Sequence, residues 1–225
     1  MKRIFLFIVV LGLAASAFGQ NEQSPIVEKP ITYNNWTYKS VTGGEELNLR
    51  DLSKGKKLMM VVYYAPWCPN WRHDAPIIQR LYDKYKNNGL GVVAVGEYDP
   101  LPSMKNNLEF MKVTFPAVYE SEARASRQKT LHYGYRTATG DKRGWGSPWY
   151  IFLEPANFDK SGGEVLTTQA YVINGEIIEA EGERFIREKL GLGAEKLTSS
   201  SARSAAPEVC DPDKPGQKVS KITIQ

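Results

Sequence analysis

Residues 58–76 read Leu-Met-Met-Val-Val-Tyr-Tyr-Ala-Pro-Trp-Cys-Pro-Asn-Trp-Arg-His-Asp-Ala-Pro, the most informative part of the chain for its fold. Its first seven residues are almost continuously apolar, which is typical of a strand buried on both faces. A helical pattern follows Cys68, with apolar side chains at Ile77, Leu81 and Tyr85. A cysteine at such a junction faces the positive end of the helix dipole. The dipole favours the nucleophilic thiolate, so we expect Cys68 to be an accessible, activated thiol.

The segments on either side complete an alternating pattern of strands and helices. Residues 90–95 form a second buried strand after Gly89, so strand, helix and strand make a right-handed βαβ unit. Residues 148–153 read as a third strand, and residues 170–179 read as a hairpin around Asn174-Gly175. The other expectations are an edge strand at 36–41, helices at 106–111, 120–131 and 183–190, and a long loop at 133–146.

Residues 65–76 resemble the active site of the thioredoxin-like family, especially the exported TlpA/ResA-type thiol-disulfide oxidoreductases. Those proteins read roughly W-C-x-x-C-R-x-E-x-P. The positions that match are Trp67, Cys68, Pro69, Arg72 and Pro76. Asp74 stands where the family usually has Glu, and Trp71 replaces the second cysteine. The resemblance implies an α/β protein with a thioredoxin-like three-layer fold, in which helices flank a mixed central sheet.

The same resemblance implies which residues surround the reactive sulfur. Cys68 would be the nucleophile and Asp74 a proton acceptor, although an acidic residue also simply favours the first half of a helix. Ser147-Pro148 precedes the third strand, where the family has a cis-proline facing the cysteine. The site neighbours are therefore Trp67, Pro69, Asn70, Trp71, Arg72, Ser147 and Pro148.

Two functions from different classes fit these residues. The first is single-cysteine thiol-disulfide exchange through Cys68, completed by an external thiol or by Cys210 as the resolving residue. The second is a redox-inactive binding module that keeps the thioredoxin-like groove, with Trp67, Trp71 and Trp149 either contacting partners or packing in the core. Both predict extended or disulfide-bearing protein partners. The sequence leaves open whether Cys68 and Cys210 pair.

Composition and motifs argue against several other classes. The net charge of +4 over 225 residues gives no case for a nucleic-acid surface. His73 and His132 are the only histidines, so we expect no metal site. No glycine-rich phosphate loop follows a strand, and no cofactor is expected. Ala65 lacks the hydroxyl that peroxiredoxins have three positions before their cysteine, which argues against that class.

The N-terminal residues predict export. Residues 1–3 are basic, residues 4–13 are apolar, and small residues at 15–19 offer cleavage sites. We therefore expect a signal peptide at 1–19, a polar linker at 20–35, the thioredoxin-like domain at 36–192 and a flexible C-terminal tail at 193–225. The mature protein would be periplasmic or secreted, with no membrane anchor after processing.

Overall fold

The computed structural model describes residues 22–193, 210 and 212–213. The expected signal peptide at 1–19 lies outside the described residues, as does most of the expected tail at 193–225. Within the described part of the chain, no helix is both long and apolar enough to cross a membrane.

A mixed eight-stranded sheet forms the centre of the described structure. In sheet order its strands are β2 (Val27–Asn34), β9 (Val165–Ile173), β8 (Trp149–Leu153), β5 (Leu58–Tyr64), β6 (Leu90–Gly96), β7 (Ala117–Tyr119), β3 (Thr37–Ser40) and β4 (Glu46–Asn48). Strands β5, β6 and β7 run parallel, and the other neighbours pair antiparallel. Every residue of β5 and β6 is buried, because helices cover both faces of the sheet.

The helices form two outer layers. They are α1 (Leu49–Leu52), α2 (Pro69–Tyr85), α3 (Leu101–Phe110), α4 (Leu131–Ala138) and α5 (Glu179–Leu190). Alternate residues of β5 point to opposite faces, so Met60 and Val62 pack with α2, α3 and α5. Met59 and Val61 share the other core with α1 and α4. This arrangement confirms the expected three-layer α/β fold with a mixed central sheet and flanking helices.

The strand–helix–strand unit around Cys68 forms as expected. Pro69 occupies the first turn of α2, where its missing N–H costs no hydrogen bond. A short 3₁₀ turn follows α2 and ends at Gly89, which adopts a left-handed φ of 109° before β6 begins. Strands β5 and β6 then pair in parallel from Leu58 and Leu90 onward.

Residues 20–35 are not simply a linker, because two strands lie within them. Strand β2 is the edge of the central sheet, paired with β9. Strand β1 (Gln23–Ser24) pairs in parallel with β10 (Glu176–Ile177). The expected hairpin at 170–179 is therefore wrong, since β10 takes its partner from the N-terminal segment and not from β9. Turn residues such as Asn174-Gly175 reverse the chain without fixing which strand pairs with the next one.

Other local expectations also differ from the structure. The α-helix expected at 120–131 is a 3₁₀ helix at 124–129. Helix α4 begins at Leu131 and occupies the first part of the expected loop at 133–146. Thr130 caps α4 by accepting a hydrogen bond from the Tyr133 N–H, at 3.1 Å. The helix expected at 106–111 starts earlier, at Leu101. Strand β3 is not an edge, because it lies between β7 and β4.

Candidate active site

Cys68 lies at the junction of β5 and α2. Its extended backbone makes it the N-cap residue of α2, and its carbonyl accepts the Arg72 N–H at 3.2 Å. The first turn of α2 contains no acidic residue, so the positive end of the helix dipole is not neutralised within that turn. This is the location that the sequence predicted for the sulfur.

A disulfide joins Cys68 to Cys210, 142 residues farther along the chain. The two Cα atoms are 4.7 Å apart, within the usual range for a disulfide. Both sulfur atoms lie 3.2 Å from the carbonyl oxygen of Ser147. Cys68 is fully buried, so the expectation of an accessible thiol is wrong for this disulfide-bonded state. The sequence left this pairing open because a separation of 142 residues carries no local signal.

The peptide bond between Ser147 and Pro148 is cis, which confirms the expectation from the resemblance. The Ser147 hydroxyl accepts a hydrogen bond from the Ala65 N–H at 2.9 Å. This contact ties the loop before β8 to the end of β5, three residues before Cys68. The cis-proline loop and the start of α2 therefore meet at the two sulfur atoms.

Trp71 is a core residue in the position of the family's second cysteine. It is 0% exposed, its ring centroid lies 4.6 Å from that of Tyr64, and its Nε1–H donates to Asn107 Oδ1 at 2.8 Å. Trp149 is equally buried and donates to Asn174 Oδ1. Trp71 and Trp149 therefore pack in the core and do not present a surface to partners.

Trp67 is also largely buried, in an edge-to-face contact with Trp145 at 5.2 Å between ring centroids. Beside it, a groove of about 440 Å³ runs between the start of α2 and α3. Phe110 at the far side of this groove is 80% exposed. The residues lining the groove are Pro66, Trp67, Arg72, Ser103, Asn106, Asn107 and Phe110.

Asp74 is buried one turn after Asn70, on the face of α2 that meets β8 and β10. Its Oδ2 accepts the Tyr150 hydroxyl at 2.5 Å and the Ile177 N–H at 2.9 Å. Burial raises the pKa of the Asp74 carboxyl, although its hydrogen bonds oppose that shift. A carboxyl with a raised pKa can hold or release a proton nearer neutral pH, which is the property required of a proton acceptor for thiol chemistry.

His73 connects this carboxyl to the surface. Its Nδ1 lies 3.0 Å from Asp74 Oδ1 and 3.7 Å from Glu176 Oε1, and its side chain is partly exposed. The three side chains place potential ligand atoms within 4.8 Å of one another, a donor set that divalent metal ions accept. Sequence reasoning missed Glu176, because β10 lies far along the chain from α2 and no local pattern connects the two.

A second set of polar residues missed from the sequence lies around the cis-proline loop. Arg143 donates to the carbonyls of Ser147 and Pro148, at 3.4 and 2.8 Å. Glu22 accepts hydrogen bonds from both Arg143 and Asn70. Glu22 was assigned to a linker and Arg143 to a loop, so neither carried a signal for the site.

Comparison with known proteins agrees with this geometry. The family model described as Redoxin matches residues 28–156, more than half of the chain. A protein disulfide-isomerase from Oryctolagus cuniculus is 33% identical over 110 residues, covering 48% of this chain and 19% of that protein. The thiol-disulfide oxidoreductase ResA of Halalkalibacterium halodurans is 27% identical over 77 residues, covering 34% and 43%. The aligned part thus spans less than half the length of these two relatives.

Solved structures share the fold. A thioredoxin-family thiol:disulfide interchange protein from Chlorobium tepidum superposes with a TM-score of 0.51 and 20% identity, covering 72% of this chain and 98% of that one. A protein from Bacteroides thetaiotaomicron, described as a protein disulfide isomerase, gives a TM-score of 0.52 at 18% identity, with coverage of 75% and 94%. At this level of identity the likeness extends to the fold alone.

Proposed function

The chain belongs to the redoxin family, and we propose that it is a thiol-disulfide oxidoreductase whose reactive pair is Cys68 and Cys210. The observation that carries this proposal is the disulfide between the N-cap cysteine of α2 and Cys210, next to the cis Ser147-Pro148 bond. Similarity to the thiol-disulfide oxidoreductase ResA supports the same class of chemistry. In this proposal Cys210 takes the role of the second cysteine of the C-x-x-C motif, because Trp71 occupies that cysteine's position.

The exchange proceeds in two balanced steps. The Cys68 thiolate attacks one sulfur of a partner disulfide, so a mixed disulfide forms and the partner's other sulfur leaves as a thiolate. The Cys210 thiolate then attacks the Cys68 sulfur, which forms the Cys68–Cys210 disulfide and releases the second partner thiolate. The partner disulfide gains two electrons and the cysteine pair loses two. An external dithiol, exchanging in the opposite direction, returns the pair to the reduced state.

Asp74 would serve as the proton acceptor of this exchange. A thiol loses its proton to become the attacking species, and a buried carboxyl with a raised pKa is able to take it. His73 connects Asp74 to the surface, so the proton has a route to solvent.

The partners would be polypeptides that carry a disulfide in an extended segment. The groove beside Trp67, with Phe110 exposed along it, offers an apolar surface for residues flanking the partner cysteine. If the cysteine pair proved inert, this groove would favour the binding-module function instead.

Export belongs to the same proposal. Residues 1–19 have the basic, apolar and small-residue regions of a signal peptide, and cleavage after Ala17 or Gly19 leaves Glu22 in the mature chain. The protein would then act in the periplasm or outside the cell, where disulfides persist. Intact-mass measurement of protein recovered outside the cytoplasm tests this; retention of residues 1–13 in that protein would contradict it.

The test of the reaction compares wild type with Cys210→Ser and Cys68→Ser in the reduction of a model protein disulfide. We expect Cys68→Ser to be inactive, because it lacks the nucleophile. We expect Cys210→Ser to accumulate as a mixed disulfide with the substrate and to turn over at least about tenfold more slowly. Ser161→Ala, a change in an exposed loop, serves as the control. Equal turnover by Cys210→Ser and wild type, without added small thiols, would show that Cys210 is not the resolving residue.

A further inference from the structure

The Arg143 guanidinium has hydrogen-bond partners on Asp141 and on both residues of the cis-proline bond. Its guanidinium pairs with both oxygens of Asp141, with a closest distance of 2.7 Å, and donates to the carbonyls of Ser147 and Pro148. The side chain is only 19% exposed. The Ser147 carbonyl oxygen is the one that also lies 3.2 Å from both sulfur atoms. A positive charge and the reactive sulfurs therefore contact the same atom.

Glu22 connects this charge to α2. Its Oε2 lies 3.2 Å from Arg143 Nη1 and accepts a hydrogen bond from Asn70 Nδ2 at 2.6 Å. The backbone of Glu22 is held as well, since its carbonyl accepts the Glu176 N–H at 2.8 Å. The segment at residues 22–24 thus acts as a strap that joins the first turn of α2 to the cis-proline loop.

Other charged groups lie on the elements around Cys68. Arg72 and the buried Asp74 lie on α2 itself, and Glu176 lies on β10 next to His73. Arg124, after β7, lies over the Trp67 ring at 5.7 Å and 4.0 Å from Asp213. Among these groups, Arg143 is the cation bonded directly to the carbonyl oxygen that touches the sulfurs.

We propose that Arg143 is a positioning residue for thiol-disulfide exchange at Cys68 and that Glu22 sets how much of its charge the sulfur experiences. This inference rests on the proposed function, since it assigns a role in that reaction. Arg143 fixes the Ser147 and Pro148 carbonyls beside the sulfurs and favours the Cys68 thiolate. Glu22 opposes that effect, because its carboxylate partly neutralises the guanidinium and adds a negative charge next to the first turn of α2.

The opposite signs of these two charges make the proposal testable. Each variant is made in a Cys210→Ser background, so Cys68 is the only thiol, and the pKa of Cys68 is measured from its alkylation rate between pH 4 and 10. We expect Arg143→Met to raise this pKa and Glu22→Gln to lower it, each by about half a unit, or a roughly threefold change in thiolate fraction. Arg143→Lys keeps the charge and should remain closer to the parent than Arg143→Met.

Two control variants match the changes away from the site. Arg50→Met removes an arginine that also donates to two loop carbonyls, those of Asp159 and Gly163. Glu28→Gln neutralises a carboxylate on β2 that bonds to Gln169. Neither should change the pKa of Cys68. Shifts in the same direction for Arg143→Met and Glu22→Gln, or no shift in either, would overturn the proposal.

Gly175→Ala tests the strap without changing either charge. A Cβ atom at Gly175 would overlap the carbonyl oxygen of Glu22, so the strap must shift, and we expect this shift to loosen its contact with Arg143. We expect the pKa of Cys68 to fall as it does in Glu22→Gln, whereas Gly134→Ala, which has open space, should leave it unchanged. An unchanged pKa in Gly175→Ala would contradict the role of the strap.

These measurements are independent of turnover. If the pKa shifts fail while Cys210→Ser still loses turnover, the role of Arg143 is wrong and the proposed function stands. If the shifts occur but Cys210→Ser turns over normally, the proposed role of Cys210 in the reaction is wrong, and the effect of Arg143 on Cys68 stands.

Discussion

At the scale of single residues, Trp71 explains why the site departs from a C-x-x-C pair. The indole fills the space between α2 and α3 and satisfies its N–H with Asn107. A cysteine at this position would lie one helical turn from Cys68, near enough for a disulfide. In this chain the indole packs in the core, and the sulfur bonded to Cys68 belongs to Cys210, 142 residues farther along.

We predict that Trp71→Cys gains a local disulfide but loses stability. Removing a fully buried indole should cost about 3–5 kcal/mol in the free energy of unfolding. The new cysteine should compete with Cys210 for Cys68, which disulfide mapping by mass spectrometry would show as a second linkage. Urea unfolding of reduced Trp71→Cys measures the packing loss without a disulfide. Reduced Trp71→Phe, which keeps an aromatic ring in the same space, is the comparison and should lose less stability. Exclusive Cys68–Cys210 pairing in a folded mutant would contradict the expected geometry.

A second residue, Glu97, should control how stability depends on pH. It is fully buried after β6, with its carboxyl beside that of Glu120. Burial, with a contribution from the nearby Glu120, raises the pKa of its carboxyl well above the usual value. The folded state therefore binds a proton more tightly than the unfolded state, so stability falls as pH rises from the unfolded pKa through the folded one.

We predict that Glu97→Gln, whose side chain cannot ionise, does not lose stability in this way as the pH rises. Wild type should lose about 1.4 kcal/mol of unfolding free energy for each pH unit in that window, and Glu97→Gln should lose much less. Urea titrations from pH 5 to pH 8 measure both slopes, with the exposed Glu109→Gln as the control. Parallel slopes for wild type and Glu97→Gln would contradict the assignment.

At the scale of elements, the start of α4 depends on side-chain caps. The Thr130 hydroxyl accepts the Tyr133 N–H, and the Glu120 carboxylate accepts the N–H groups of Leu131 and His132. These contacts satisfy donors that the first turn of a helix leaves unpaired. They also explain why a stretch rich in glycine and threonine is helical instead of forming a loop.

We predict that Thr130→Ala lowers the unfolding free energy by about 1 kcal/mol, the usual cost of losing an N-cap. Thr137→Ala, on the exposed side of the same helix, should have a smaller effect. Thermal or urea unfolding of the two variants provides the comparison. Equal losses would mean that the Thr130 cap does not stabilise α4.

At the scale of the whole molecule, residues from far along the chain lie at the candidate site. Cys210 joins Cys68, and Asp213 lies 4.0 Å from Arg124, which in turn lies over Trp67. Cys68 and Cys210, 142 positions apart, thus meet at the start of α2. Under the proposed function, we expect access to Cys68 to depend on whether this bond is formed.

We predict that a chain ending at residue 193 presents Cys68 as a reactive thiol without prior reduction. Thiol titration of the truncated protein should find one alkylatable group, whereas wild type purified under oxidising conditions should find none. A chain ending at residue 213, which keeps Cys210 and Asp213, is the matched control and should behave as wild type. An unreactive Cys68 in a folded chain ending at 193 would show that other residues bury the sulfur.

The outcome for individual residues shows what sequence patterns can predict. Cys68 and Pro69 lie at the start of α2 and the Ser147-Pro148 bond is cis, as expected, because each belongs to a short motif. Glu22, Arg143 and Glu176 were missed, because their side chains meet only after strands from both ends of the chain pair. The hairpin expected at Asn174-Gly175 was wrong for the same reason.

Local patterns in the sequence predict the strand at Leu58–Tyr64, the helix that begins at Pro69 and the cysteine between them, since apolar periodicity and capping act over a few residues. The folded structure was needed to show that Cys210 meets Cys68, that Glu22 connects α2 to the cis-proline loop, and that Trp71 packs in the core. Those contacts depend on which strands pair and which face each helix buries. Such pairings join residues far apart in the chain, so no local period of the sequence encodes them.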